Sequence, residues 1–279
     1  MKIALAGLGI TGNIVAEYLL KEKALTMVLC RDGSPNAGKD VGEILHRPVT
    51  GITIESTTDL EEKLLINQPD VLIDFSSPDF LSENLSILAK CKVNVVTAVT
   101  GYSEIDTRRI KLVAQSGKIG VVMAPNITYG VNLLLMMARL AAQLHSEYDF
   151  QIIEENHKHK KDSPSGTAKK IAATIASTLS GDVGENKDDI PIHSIRAGDI
   201  AGRHKVLVYG KYDQIEITHT AFSRMAFAEG AYKAAQFISG RPGFYEMKDV
   251  FRLEKGNYAA DRWLNSLGDG FHDAEPLII

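Results

Sequence analysis

The sequence predicts an α/β fold: a doubly wound parallel sheet first, then an α+β unit with a mixed or antiparallel sheet. Three observations carry this. Short apolar runs alternate with amphipathic stretches from the N-terminus to about residue 127, the pattern of parallel strands joined by crossover helices. A glycine-rich turn follows the first of those runs directly. From about Thr128 the pattern changes to one long helix, followed further on by strands of alternating polarity.

"KIALAG" is the first strand, and the turn after it runs on into the helical stretch "NIVAEYLLK". "TMVLC" is the second strand, and "DGSPNAGKD" is the loop that follows it. "ITIE", "VLIDFS", "VNVVTA" and "IGVVMAP" are the later strands, each a short apolar run. Between them, "TDLEEKLLI", "PDFLSENLSILAK" and "SEIDTRRIKLVAQS" have helical spacing. In the second half "GVNLLLMMARLAAQL" is a long helix. "SPSGTAKKIAATIASTL" is another, with Ala168, Ile171, Ala172, Ile175, Ala176 and Leu179 on one face. "KVLVYG" and "QIEITHTA", separated by "KYD", alternate like the arms of a hairpin.

A chain of 279 residues, 44% of them hydrophobic, can bury one large core or two modest ones. No apolar run approaches the roughly 18 residues that a membrane span needs. The net charge of −4 gives no general attraction to nucleic acid or to an anionic membrane, so any basic cluster is a local device. Cys30 and Cys91 form no CxxC pair, and the opening residues run into structure without a secretory leader. The expectation is a cytoplasmic protein with neither nucleic acid nor membrane as partner.

The first turn reads "GLGITG", with Gly7, Gly9 and Gly12 in GxGxxG spacing. Glycine allows the tight turn and a close approach of backbone to a pyrophosphate. Ile10, Thr11 and Gly12 then open a helix whose N-terminus attracts phosphate, as in a Rossmann-type dinucleotide site. An acid at the end of the second strand usually binds the ribose hydroxyls of NAD. Here Cys30 stands at that end with Arg31 after it, an arrangement suited to the 2′-phosphate of NADPH; Asp32, one place on, keeps NADH open.

The second concentration of chemistry is "IIEENHKHKKDSPSGTAKKIA", residues 152–172. Ser165, Gly166 and Thr167 fall at a helix start, where free N–H groups and two hydroxyls can hold a carboxylate; the same residues would also serve as an ordinary cap. His157, His159, Lys160 and Lys161 lie just ahead and favour an anion site. His157, His159 and Asp162 are metal-ligand types, but the neighbouring lysines repel a cation, and no metal is expected.

The stretch "ENHKHKKDSPSGTA" resembles the signature of the dihydrodipicolinate reductase family, roughly E-x-H-H-x-x-K-x-D-x-P-S-G-T-A. "CRDGS", "VLIDFSSP", "APNITYGVN", "SIRAGDIAGRHKV" and "EITHTAFSRMAFAEGA" extend the likeness from Met1 to about Leu253. The resemblance implies an NAD(P)H-dependent reductase of a small anionic cyclic dicarboxylate in lysine and diaminopimelate biosynthesis, assembled as a homotetramer. It implies a nucleotide-binding domain of residues 1–127 and 224–279, with residues 128–223 binding substrate and building the tetramer. Carried over by position, Lys160 contacts substrate and is the proton-donor candidate. His157 lines the same pocket, Ser165, Gly166 and Thr167 hold a carboxylate, and Arg224 lies near substrate. Thr100, Gly101, Ala124, Pro125 and Asn126 border the nicotinamide. Three departures stand out: Asn156 replaces the first paired histidine, the usual proton donor; Cys30 replaces the ribose-binding acid; and residues 255–279, with Trp263, extend past the usual terminus. Asn156 itself can only hold a water at the catalytic position, since its amide has no proton to give at neutral pH.

Overall fold

The computed structural model describes residues 1–180 and 190–254. The extension 255–279, with Trp263, lies outside the described residues. The first half is built as β1 (Ile3–Ala6), α1 (Ile10–Lys21), β2 (Leu25–Cys30), α2 (Val41–Ile44), β3 (Ile54–Ser56), α3 (Leu60–Asn67), β4 (Val71–Asp74), α4 (Pro78–Lys90), β5 (Asn94–Thr97), α5 (Glu104–Gly117) and β6 (Gly120–Met123). The second half holds α6 (Tyr129–Leu144), β7 (Asp149–Asn156), α7 (Gly166–Leu179), β8 (Ile192–Arg196), β9 (Arg203–Tyr209) and β10 (Gln214–Thr220). It ends with α8 (Met225–Ile238), β11 (Gly243–Glu246) and α9 (Met247–Glu254).

Seven strands form one sheet in the order β11-β6-β5-β4-β1-β2-β3, every neighbouring pair parallel. Strand order reverses beside β1, which is where an open sheet of this kind leaves a crevice at its strand C-termini. β1 and β4 are buried along their whole length, as strands covered on both faces must be. One face packs against α1, α8 and α9 through Val15, Leu19, Ala231, Ala235, Ile238 and Val250. The other packs against α3, α4 and α5 through Leu64, Leu81, Leu85, Leu88, Ile110 and Ala114. Each such Leu, Ile or Val removed from water contributes about 1.5–3 kcal/mol.

Four strands form the second sheet, in the order β10-β9-β7-β8. β9 pairs antiparallel with β7 and β10, while β8 runs parallel to β7, so the sheet is mixed. α6 and α7 cover one face, with Leu134, Ala138, Ile171 and Ile175 against Phe150, Ile152, Val206 and Val208. The expected hairpin is β9 and β10. Strands β7, β8 and β11 and helices α2, α8 and α9 go beyond the sequence reading. α2 is held from its cap, where Asp40 accepts from the backbone of Gly42, Thr50 and Gly51. β11 returns from the far end of the chain to lie beside β6. Among the described residues, no helix is long and apolar enough to cross a membrane.

Candidate active site

The glycine turn is shaped by what its missing side chains would strike. At Gly7, φ is +91° and a Cβ would stand 2.7 Å from the carbonyl oxygen of Phe75. At Gly12 a Cβ would collide with the carbonyl of Gly7. Gly9 has open space around it and, as the N-cap of α1, leaves the first N–H groups of the helix without a side-chain cap among the described residues. Ile10, 72% exposed, opens this turn beside the half-buried Thr11. The arrangement fits a dinucleotide pyrophosphate, because backbone donors, the helix N-terminus and glycine clearance coincide. Arg31 is exposed just past β2. Asp32 is turned towards the β3–α3 connection, where Thr57 Oγ1, Thr58 N and Thr58 Oγ1 donate to it at 3.1 Å.

Beside the turn, the loops after β5 and β6 place Thr100 and Gly101, both exposed, and Ala124, Pro125 and Asn126 at the same strand ends. At the end of β4, on the same edge of the sheet, lies a buried carboxyl absent from the sequence reading. Asp74 accepts from Ser76 N at 2.9 Å and from Thr97 Oγ1 at 3.0 Å, and Thr97 is hydrogen-bonded to Tyr102 Oη at 2.9 Å. Burial raises the Asp74 carboxyl above its usual range despite these donors, and burial and Asp74 together raise the Tyr102 hydroxyl.

The other half of the site is set by β7, whose alternate residues Phe150, Ile152, Glu154 and Asn156 all face the helices. The first two are core and the last two are polar. Glu154, fully buried, accepts from Arg196 Nη2 at 2.6 Å, from Asn156 Nδ2 at 2.6 Å and from Ser165 N at 3.1 Å. Burial would raise its carboxyl, but the bonds from Arg196 and Ser165 outweigh that and hold it below the ordinary glutamate range. One carboxylate thus ties three segments together: β8 through Arg196, the start of α7 through Ser165, and the site strand through Asn156.

Ser165 is the N-cap of α7 and accepts from Ala168 N at 3.2 Å. Thr167 Oγ1 donates to Asn126 Oδ1 at 2.6 Å, linking the start of α7 to the loop after β6. The Thr167 hydroxyl hydrogen is thereby committed to Asn126, whereas Ser165, an acceptor from Ala168 N, serves as a cap and keeps its own hydroxyl hydrogen to give. What this turn offers an incoming anion is therefore backbone N–H, with exposed Gly166 at its centre, and the Ser165 hydroxyl hydrogen. Lys160, half-buried, pairs with Asp162 at 2.8 Å. His157 is half-buried, with its ring 6.5 Å from that of exposed His159. Arg224 is half-buried at the N-cap of α8, and among the described residues its side chain makes no hydrogen bond or ion pair with this cluster. No group of three or more His, Cys, Asp or Glu side chains is placed to hold a metal among the described residues.

Four further polar residues belong to this region: Glu154, Arg196, His204 and His219. The register sets Glu154 opposite His204 and His204 opposite His219. Their signal lay in "IIEEN", "SIRAGDIAGRHKV" and "EITHTA", but only the strand pairing brings those segments side by side.

Family models described as dihydrodipicolinate reductase match the chain twice, the N-terminal model over residues 1–127 and the C-terminal model over 130–251. A 4-hydroxy-tetrahydrodipicolinate reductase of Methanosarcina acetivorans is 39% identical over 259 residues, covering 89% of this chain and 98% of its own. One from Ralstonia nicotianae is 38% identical over 270 residues, covering 91% of this chain and all of its own. Among solved structures, a dipicolinate-bound dihydrodipicolinate reductase from Paenisporosarcina superposes with a TM-score of 0.72 at 24% identity, covering 88% of this chain and 97% of that one. That last likeness bears on the fold.

Proposed function

The chain belongs to the dihydrodipicolinate reductase family, and from that premise we infer that it is an NAD(P)H-dependent reductase acting on 4-hydroxy-tetrahydrodipicolinate in diaminopimelate and lysine biosynthesis. The observation that carries the reading is the Thr167–Asn126 hydrogen bond. It joins the anion-attracting start of α7 to the loop after β6, at the same C-terminal edge of the parallel sheet as the glycine turn, which supports substrate and nicotinamide meeting at that edge.

With its pyrophosphate held at the glycine turn, a reduced dinucleotide would supply the hydride from its nicotinamide. The protein supplies position and charge. The amides at Gly166 and Thr167 orient one substrate carboxylate, with Ser165 holding the turn in shape. Lys160, kept local by Asp162, places a cation where negative charge develops on the reduced ring, and such a group acts strongly in a site that excludes water. His157 lines the same side, and Arg224 completes the positive rim from α8. Asn156, its amide nitrogen bound to Glu154, presents its oxygen to the pocket.

Arg31 beside uncharged Cys30 supports a preference for NADPH, since a guanidinium pairs well with a 2′-phosphate and no acid opposes it. Gly101, Thr100 and the segment Ala124–Asn126 border the nicotinamide. We further assign residues 1–127 and 224–279 to cofactor binding and residues 128–223 to substrate binding and assembly as a homotetramer. The assembly face is the side of the second sheet away from α6 and α7, where Ile195 and Tyr209 remain exposed. Both cysteines are free, in keeping with a cytoplasmic location. Oxidation of NADPH on addition of freshly made 4-hydroxy-tetrahydrodipicolinate is the direct test, and rescue of a diaminopimelate-requiring bacterium that lacks this reductase is the cellular one. Tight NADPH binding with no turnover of any cyclic dicarboxylate imine would refute the assignment.

A further inference from the structure

His204 is 6% exposed, and neither nitrogen of its ring has a hydrogen-bond partner among the described residues. A neutral imidazole carries one N–H and one lone pair, and leaving both unmet in an interior is costly enough that each such group asks for a partner. Gly202, just before β9, shows where that partner belongs. A Cβ on Gly202 would stand 3.7 Å from Asn156 Oδ1 and 4.0 Å from His204 Cε1, with no other contact within 4 Å. The glycine therefore leaves a space for one group the size of a methyl or a water, in ordinary contact with both. Its walls are the free end of the Asn156 amide, whose nitrogen is committed to Glu154, and the His204 ring edge between its two nitrogens.

Resting on the reductase reading above, we propose that His204 is the proton source for the reduced ring, acting through one water in the Gly202 space that also donates to Asn156 Oδ1. Hydride arrival leaves an electron pair on the substrate ring. That pair forms a new C–H bond with a proton from the water, and the N–H bond of charged His204 breaks to restore the water. His204 is left neutral and regains its proton from solvent. Asn156 does not give a proton here; it orients the molecule that does.

The surroundings suit a ring that gains and loses charge. Burial holds free His204 well below the ordinary histidine range, at about 4. Glu154 across the strand pulls it up, while His219 on β10, Lys160 in the loop after β7 and Arg196 on β8 push it down. A substrate with two carboxylates adds negative charge to the same space and favours the charged ring, so the proton enters with the substrate and leaves in the reaction.

His204→Gln keeps a hydrogen-bonding side chain that cannot carry a proton. It should lower kcat by about 100-fold or more while pyridine-2,6-dicarboxylate affinity stays within about threefold. Adding Asn156→His to the same chain puts a titratable imidazole at the water's other contact and should recover at least about tenfold of the loss. If His204 were purely structural, Asn156→His would change kcat by the same factor with and without His204→Gln, so the expected result is a gain at least about tenfold larger in the His204→Gln background than in the wild type. Near-normal kcat in His204→Gln, or an Asn156→His gain no larger in His204→Gln than in the wild type, overturns the proposal. If His204→Gln does not fold, the wild type still decides: calorimetry of pyridine-2,6-dicarboxylate binding at pH 7 in two buffers of different ionisation enthalpy should show proton uptake, and none would overturn it. A wild type that never oxidises NADPH with substrate is a separate result and refutes the reductase reading instead.

Discussion

Glu154→Gln is the substitution whose cost follows most directly from the geometry. The carboxylate is fully buried and receives three donors, one of them the Arg196 guanidinium at 2.6 Å. The amide keeps the shape and one acceptor oxygen but removes the charge, and its NH2 group faces a donor in place of one of the oxygens. Removing one member of a buried pair generally costs about 3–5 kcal/mol, because the other charge is left uncompensated. Arg196 retains hydrogen bonds to the carbonyls of Asp162 and Ile195, so the lower end, about 3 kcal/mol, is expected. For a chain of this size that is a fall in Tm of about 6–12 °C. The pH dependence has a definite sign. The folded carboxyl lies below its ordinary value of 4.5, so the stabilisation is complete above that value and is lost as pH falls through the folded one. The gap between wild type and Glu154→Gln, read by calorimetry, should therefore be full at pH 7 and shrink in acid. A variant melting within about 2 °C of wild type at pH 7 would show that Glu154 does not organise the three segments it touches.

Lys160→Met keeps the length of the side chain and removes its charge, and should lower kcat by about two to three orders of magnitude, roughly 3–4 kcal/mol. Its partner Asp162 is exposed enough that folding should be little affected, so a steady-state assay on normally melting protein that finds near-normal kcat would remove Lys160 from the mechanism. His159→Ala, at an exposed position, should leave kcat within about threefold. Arg31→Ala should weaken NADPH by about tenfold and leave NADH nearly unchanged, a difference of roughly 1–2 kcal/mol; equal losses for both cofactors in a fluorescence titration would deny the 2′-phosphate contact. Gly12→Ala drives a methyl into the carbonyl of Gly7 and should abolish dinucleotide binding or destabilise the chain, visible as loss of the NADPH-induced rise in Tm.

The legible parts of this molecule are those whose information is local. Strands β1, β2, β4, β5 and β6 are short apolar runs between turns, and the glycine turn and the start of α7 are contiguous motifs, so their residue types and spacing suffice. β7 resists the same treatment because its inward row changes from Phe150 and Ile152 to Glu154 and Asn156, and the alternation of polarity fails at the point where the site begins. β11 is four residues containing a glycine, and its place beside β6 is a long-range pairing that nothing local announces. The row His219, His204, Glu154 is assembled from three strands, and nothing within any one of them states the register. The hydroxyls of Ser165 and Thr167 were legible as polar groups at a helix start, but their partners, Ala168 N and Asn126, are matters of packing.

The return of the chain to its first sheet bears on how the protein is made. β6 ends at Met123, yet the strand that pairs with its outer edge is not complete until Glu246, and one face of the sheet waits for α8 and α9. At about 5–20 residues per second, the roughly 120 intervening residues take about 6–24 s to synthesise. Throughout that interval the nascent chain carries an open parallel edge and an apolar face already formed for helices that do not yet exist. A ribosome stalled after residue 127 would therefore hold a sticky half-layer, and release from the risk of misassociation comes only with the last elements translated.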